Sequence, residues 1–390
     1  MLRPKFDGCE VRVVLEKRLP MRCLTAFSNA GVAMVVAVII ALTSFSDCRA
    51  DDVFDHVDRL AAAAQAQIGA PGLSAAVARG DRIVWADGYG LADVENAVPA
   101  RPETVYRIAS ISKPIAATAV LQLVAAGDVS LEDSIRDYVP SFPEKEAGTV
   151  TVRHILTHTS GIRHYKPGEI LNMVNFDSLD DAISIFKDDP LKFTPGEKFL
   201  YSSYAYNLLA GVVEKASGQP FGEYLGRHVW GPAGMRSTFL EEQGPIVSGR
   251  ARGYVRNLRS YLQNAPYVDL SIKWAGGGMI STVQDLCRFD IALRRGDLLS
   301  EETLREMYEP GTLDSGERTG YGLGWRIETD EEGRTWIYHS GGTTGGGSFL
   351  LRCPEEQVAV AMIVNLGGGA GLPDAAFRIA REVIAARTKQ

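Results

Sequence analysis

Stretches with strand character stand near both ends of this 390-residue chain, and helical stretches fill its middle. Leu73–Arg79 and Arg82–Tyr89 read as two strands meeting at Gly80-Asp81, a hairpin signal. Strands return at Gly322–Glu328, Trp336–His339, Ser348–Arg352 and Gln357–Asn365, which alternate or run apolar as strands of one sheet do. Between them, Val152–Thr157, Leu179–Phe186, Tyr206–Ser217 and Phe221–Val229 carry helical periodicity, broken by proline and glycine. Amphipathic helices are expected at Asp51–Ile68 and Leu372–Arg387, with another at Thr282–Arg294. Such an order predicts one sheet domain assembled from distant parts of the chain and interrupted by a mainly helical one. The expected boundaries are 51–125 with 271–390 for the sheet and 126–270 for the helices.

Residues 1–50 have a different character. Gly31–Leu42 is an uninterrupted run of apolar and small residues, too short to span a bilayer comfortably and of the right length for a signal-peptide core. Arg22 precedes it, and Cys48-Arg-Ala50 offers small-residue cleavage before Asp51. The expectation is an exported protein, periplasmic or extracellular, cut near Ala50, with no membrane contact beyond the leader. An uncleaved anchor is the rival, and Met21 is an alternative start.

Charge narrows the function. The formal charge is −7, and without the leader's seven basic and four acidic residues it becomes −10. A surface so acidic does not bind a phosphate backbone, so no nucleic-acid partner is expected. Only Cys287 and Cys353 lie beyond the leader, too few for a disulfide scaffold, and they read as buried thiols. The chain lacks Gly-x-x-x-x-Gly-Lys-Ser/Thr, His-Glu-x-x-His and Gly-x-Ser-x-Gly, which removes support for nucleotide hydrolysis, zinc proteolysis and the α/β-hydrolase elbow. His154 and His158 are spaced for a metal, but no third ligand accompanies them; no metal or cofactor is expected, and His158 is read as a structural hydrogen-bonding residue.

Three stretches carry chemistry. Arg107-Ile-Ala-Ser-Ile-Ser-Lys-Pro opens an alanine-rich apolar run that continues to Gly127, where a helix would be capped. Ser110 and Lys113, three apart, share a helix face. A serine hydroxyl needs a base, and a lysine desolvated by apolar surroundings is deprotonated easily enough to be one. The second stretch, Leu200-Tyr-Ser-Ser-Tyr-Ala-Tyr-Asn207, offers Tyr201, Tyr204 and Tyr206 as proton relays, because an adjacent lysine ammonium would lower a tyrosine pKa. The third, His339-Ser-Gly-Gly-Thr-Thr-Gly345, reads as a strand edge with a glycine-rich exit, where substrate can lie against backbone and a free N–H can hold an oxyanion. No Lys-Ser/Thr follows it, which disfavours a phosphate cradle.

Taken together, these stretches resemble the serine β-lactamase-like family, which includes class C β-lactamases, D-Ala-D-Ala carboxypeptidases, related esterases and a mitochondrial β-lactamase-like protease. Thr151-Val-Arg-His-Ile-Leu-Thr-His-Thr-Ser-Gly-Ile162, Pro195-Gly-Glu, Gly276-Gly-Gly-Met-Ile-Ser-Thr282 with Asp285-Leu286, and Tyr321-Gly-Leu-Gly-Trp325 extend the resemblance over most of 51–390. It implies an α/β fold of the α+β type, with an antiparallel sheet flanked by helices and an inserted helical domain. It also implies Ser110 as acylated nucleophile, Lys113 as its base, Tyr201 as proton relay and His339 as the head of the third motif. The oxyanion hole would be the N–H groups of Ser110 and Gly342, with Ser203, Ser340, Gly341 and Thr343 contacting substrate.

Two departures from the family pattern shape the expected activity. Ser203 stands where the family usually has asparagine, and His339 replaces the lysine that grips a β-lactam carboxylate. Leu200-Tyr-Ser-Ser and Gly161-Ile-Arg-His-Tyr165 look nearest the mitochondrial protease-like branch. The reading is therefore a serine hydrolase acting through an acyl-enzyme on a small-molecule or peptide substrate, with peptidase or esterase character. A true β-lactamase is the near alternative. A non-catalytic binding or scaffold protein is the distant one.

Overall fold

The Gly80-Asp81 turn joins β1 (Gly72–Arg79) to β2 (Arg82–Asp93) as antiparallel partners in the computed structural model, which describes residues 53–388. The leader expected over 1–50 lies outside the described residues. On its other edge β1 pairs antiparallel with β12 (Val358–Val364), Ala76 opposite Ala361, so the first and last strands among the described residues are neighbours. The full order is β3 (Val98–Pro99), β2, β1, β12, β11 (Gly346–Cys353), β10 (Thr335–Thr343), β9 (Arg326–Thr329), antiparallel throughout. The antiparallel sheet flanked by helices is thus present.

Alternation along the strands decides which helices cover which face. Leu73, Ala75, Val77, Val360, Met362 and Val364 point to one side, where the first helix (53–68) and the last (Leu372–Thr388) bury Val57, Ala61, Ile379 and Val383 against them. Ala76, Ala78, Ala359 and Ala361 point to the other. Small side chains there let the Val283–Arg295 helix lie close to β1 and β12, and the Ser112–Ala126 helix packs in the same core with the Ser203–Ser217 helix. The Ser112–Ala126 helix is buried around nearly its whole circumference, as an apolar sequence with no polar stripe requires, and ends at Gly127 with φ +82°.

A second, three-stranded sheet positions the site. β4 (Tyr106–Arg107) pairs with β8 (Met279–Ser281), which pairs with β5 (Phe239–Leu240). Arg107 opposite Ile280 fixes the Gly276-Gly-Gly278 segment beside the start of the Ser112–Ala126 helix. β6 (Tyr254–Arg256) and β7 (Leu262–Asn264) form a separate surface hairpin.

Three elements differ from expectation, the helix expected over Leu179–Phe186 among them, since it ends at Ile183. The strand expected at Gly322–Glu328 begins only at Arg326, because Gly322 N–H bonds back to the Trp325 carbonyl and Gly324 adopts φ +94°, a tight turn against Ala117. The helix expected to run Phe221–Val229 is α-helical to Leu225 and then widens into a π turn over Gly226–Trp230. Cys287 and Cys353 are buried free thiols.

Candidate active site

Ala109 sits in the left-handed region at φ +47°, where an alanine is strained, and it turns the chain from β4 into a 3₁₀ turn, Ala109–Ile111. Ser110 therefore stands on this turn, immediately ahead of the helix whose face the spacing suggested it would share with Lys113. The three-residue spacing still holds, and Ser110 Oγ lies 3.1 Å from Lys113 Nζ.

Lys113 is fully buried, and no carboxylate contacts it among the described residues. Its Nζ lies 2.5 Å from the Gly276 carbonyl and 3.0 Å from Ser203 Oγ. Burial, followed by the positive charge of Lys273, holds its pKa well below the ordinary lysine value. An uncharged amine has two N–H donors and one lone pair. Gly276 and Ser203 can accept the two N–H groups, leaving the lone pair for the proton of Ser110. Gly276 must be glycine: a Cβ there would strike the Ser203 carbonyl.

Of the three tyrosines, only Tyr201 lines the pocket. Tyr204 donates to Glu169 (3.1 Å) and Tyr206 to the Leu156 carbonyl (2.7 Å). The Tyr201 hydroxyl faces those of Ser110 and Ser203, with Lys113 Nζ 4.8 Å from its ring centroid. Its titration runs opposite to expectation: burial pushes its pKa up to about 12, outweighing the Ser110 and Ser203 hydroxyls and the Arg326 charge, which pull it down. Its hydroxyl stays protonated.

His158 packs 4.2 Å from Tyr201, and its Nδ1 accepts the Ser202 N–H at 3.2 Å. His154 Nδ1 accepts the Thr151 N–H in a capping box. Both histidines serve backbone.

The third stretch is strand β10. β9 pairs only with Thr335–Tyr338, so the β10 edge from His339 to Thr343 extends past its neighbour. His339, Ser340, Gly342 and Thr343 line a cavity of about 260 Å³ together with Ser110, Tyr201 and Ser203. Gly341 faces the other way, where a Cβ would collide with the Ile108 carbonyl and Ser348 Oγ; it lets β10 lie against the Ser110 turn and does not line the cavity. His339 is buried and uncharged: Nδ1 donates to the Ser340 carbonyl (2.7 Å) and Nε2 accepts from Tyr321 OH (3.0 Å). Burial first, then the Lys113 charge, pushes its pKa down to about 3.

Four further polar lining residues were not singled out from the sequence: His164, whose Nδ1 accepts the Ser203 N–H at 3.1 Å, Tyr165, Lys273 and Arg326. Their only signal is adjacency. His164 and Tyr165 end Gly161-Ile-Arg-His-Tyr165, Lys273 stands three residues before Gly276, and Arg326 follows Tyr321-Gly-Leu-Gly-Trp325.

The beta-lactamase family model matches residues 57–384. The human mitochondrial serine beta-lactamase-like protein LACTB is 33% identical over 422 aligned positions, covering 81% of this chain and 77% of its own length. An octameric penicillin-binding protein homologue from Pyrococcus abyssi superposes with a TM-score of 0.73 at 26% identity, over 86% of this chain and 78% of that one. A D-stereospecific amidohydrolase from Streptomyces superposes at 0.71 and 25% identity, over 83% and 97%. A match running from the first helix to the last, through every element that builds the site, shows that the chain belongs to the beta-lactamase family of serine hydrolases.

Proposed function

We propose that the protein is a serine hydrolase that forms an acyl-enzyme on Ser110 with peptide or ester substrates. The observation that carries this is Lys113: a buried amine with its charged form disfavoured, 3.1 Å from the Ser110 hydroxyl, its other contacts a carbonyl and a hydroxyl. Ser110 Oγ adds to the carbonyl carbon while its proton passes to Lys113 Nζ. The backbone N–H groups of Ser110 and Gly342 hold the oxyanion. Collapse breaks the acyl bond; the leaving group takes a proton from Tyr201, and Lys113 returns one to the phenol. Water then attacks the ester by the same route, releasing the acid and restoring Ser110. Kinship with an amidohydrolase supports the amide and ester class. His339, uncharged and with both ring nitrogens engaged, supplies no cation at the position where lactamases carry lysine.

Intact mass after incubation with a fluorophosphonate, and separately with benzylpenicillin, tests the reading. The wild type is expected to gain a fluorophosphonate adduct that Ser110→Ala does not. A persistent penicilloyl adduct fits the peptidase and esterase reading; many turnovers of penicillin with no adduct would establish a β-lactamase instead. A wild type that takes up neither reagent would overturn the hydrolase reading in favour of a non-catalytic scaffold.

A further inference from the structure

Tyr201 stands in an irregular stretch just ahead of the Ser203–Ser217 helix, so no regular backbone ladder fixes it there. One residue grips the chain on both sides of it. The His158 carbonyl accepts the Leu200 N–H at 2.8 Å, and His158 Nδ1 accepts the Ser202 N–H at 3.2 Å. The imidazole also packs on the phenol itself, 4.2 Å between centroids and 43° between planes. Ser202 Oγ, donating to the Arg163 carbonyl at 2.7 Å, is the next anchor along the chain.

His158 holds this place under strain. Its φ is +60°, in the left-handed region that residues other than glycine seldom occupy. Its side chain is wholly buried among the rings of Tyr201, Tyr206, Tyr321 and Phe199. Burial, and then the Lys113 charge, hold its pKa well below the ordinary histidine value, so the ring is neutral and Nδ1 stays an acceptor. The ring proton is then on Nε2, which has no hydrogen-bond partner among the described residues. A strained backbone and an unanswered buried N–H both oppose folding, and such local costs gather where function requires a particular geometry.

We propose that His158 is the positioning residue of Tyr201, fixing residues 200–202 so that the phenol hydroxyl stays within reach of the substrate's leaving atom. The inference rests on the acyl-enzyme reading above, in which Tyr201 protonates the leaving group while Lys113 deprotonates Ser110. His158 itself is absent from the cavity lining and transfers no proton. Its loss therefore falls on one step. Ser110 still attacks, and only a leaving group that needs a proton departs slowly.

Esters of one acid, with leaving groups running from 4-nitrophenol through phenol to trifluoroethanol, test this. 4-Nitrophenolate departs without a proton, whereas the alcohol requires one. Single-turnover release of the leaving group is measured for wild type, His158→Gly, His158→Asn, Tyr201→Phe and the double variant carrying His158→Gly and Tyr201→Phe. Fluorophosphonate uptake reports separately on Ser110 and Lys113. Glycine accepts the left-handed φ and removes the ring; asparagine also tolerates it and offers Oδ1 to the Ser202 N–H. His158→Gly is expected to be about 100-fold slower with trifluoroethanol, as ångström-scale misplacement makes it, and near wild type with 4-nitrophenol. His158→Asn should recover much of that loss, and the double variant should be no slower than Tyr201→Phe alone.

A loss of equal size along the series marks a purely structural role and overturns the inference. So does a double variant in which the two losses multiply, or an asparagine variant no better than the glycine one. If His158→Gly takes up no fluorophosphonate, His158→Leu, which refills the volume, is measured in its place; failure of both to label counts against the inference. A wild type that labels but releases none of the poorer leaving groups overturns it too, since Tyr201 then protonates nothing. In all these cases labelling of the wild type leaves the hydrolase reading standing. A wild type that takes up no label and releases no leaving group overturns the two together.

Discussion

Lys113 is governed by what surrounds it. Removing its ammonium from water, with Lys273 as the next positive charge, makes deprotonation easy and so makes it a base. Lys113→Ala should lower kcat/KM for an activated ester by about 10²- to 10⁴-fold, the range for loss of a general base. Activity requires the uncharged amine, so it is lost as pH falls through the Lys113 pKa. Lys273→Met removes a repelling charge, lets Lys113 hold its proton more tightly and moves that limb of the kcat/KM profile to higher pH, readable with a neutral ester. Lys273 itself is pushed down to about 8 by burial and by Arg107. At this scale the sequence was legible where spacing is the signal: a three-residue spacing stacks Ser110 over Lys113, here across a 3₁₀ turn that runs into the helix. It was misleading for Tyr201, since neighbours can be guessed from a motif while burial cannot. Lys273 was invisible, because a lone lysine announces nothing until its surroundings are known.

The elements hold these groups through close contacts that tolerate little added volume. At Gly276 a methyl group would meet the Ser203 carbonyl, pushing apart the two partners of Lys113 Nζ. Gly276→Ala should slow fluorophosphonate labelling on the order of a hundred-fold while the protein remains folded, since ångström-scale misplacement is enough. The Val283–Arg295 helix is tied to β11 by Asp290, whose carboxylate accepts from Arg352 Nε at 2.6 Å and from Arg294 at 2.8 Å, with Arg352 and Asp290 each about 1% exposed. Asp290→Ala leaves Arg352 buried without its anion, and should destabilise the protein by about 3–5 kcal/mol, seen as a lower urea midpoint. Strands β1, β10, β11 and β12 were readable from apolar alternation. β9 was drawn too long because Tyr321-Gly-Leu-Gly-Trp325 is apolar enough for a strand, and only the backbone freedom of Gly324 reveals a turn.

For the molecule as a whole, the decisive pairing is β1 with β12, which no local pattern specifies. Strands at both ends of the chain announced a sheet built from distant parts, but which strands would adjoin follows from burying both faces at once. One face depends on the terminal helices. Deleting residues 372–390 would uncover Val358, Val360, Met362 and Val364, each worth roughly 1.5–3 kcal/mol when buried. That sum rivals the 5–15 kcal/mol that a domain typically has in reserve. The truncated chain should therefore show no cooperative thermal transition by circular dichroism.

Because the first and last helices cover the same face, the two ends of the described chain come together, His56 Nε2 lying 3.7 Å from Glu382 Oε1. Topologically this part of the polypeptide is close to a ring that happens to be cut there. A circular permutant with its old ends joined by a short linker and new ends opened in the exposed β6–β7 turn should keep the same sheet order and label at Ser110 as before. The place where synthesis starts is then a matter of history, and the architecture belongs to the closed loop.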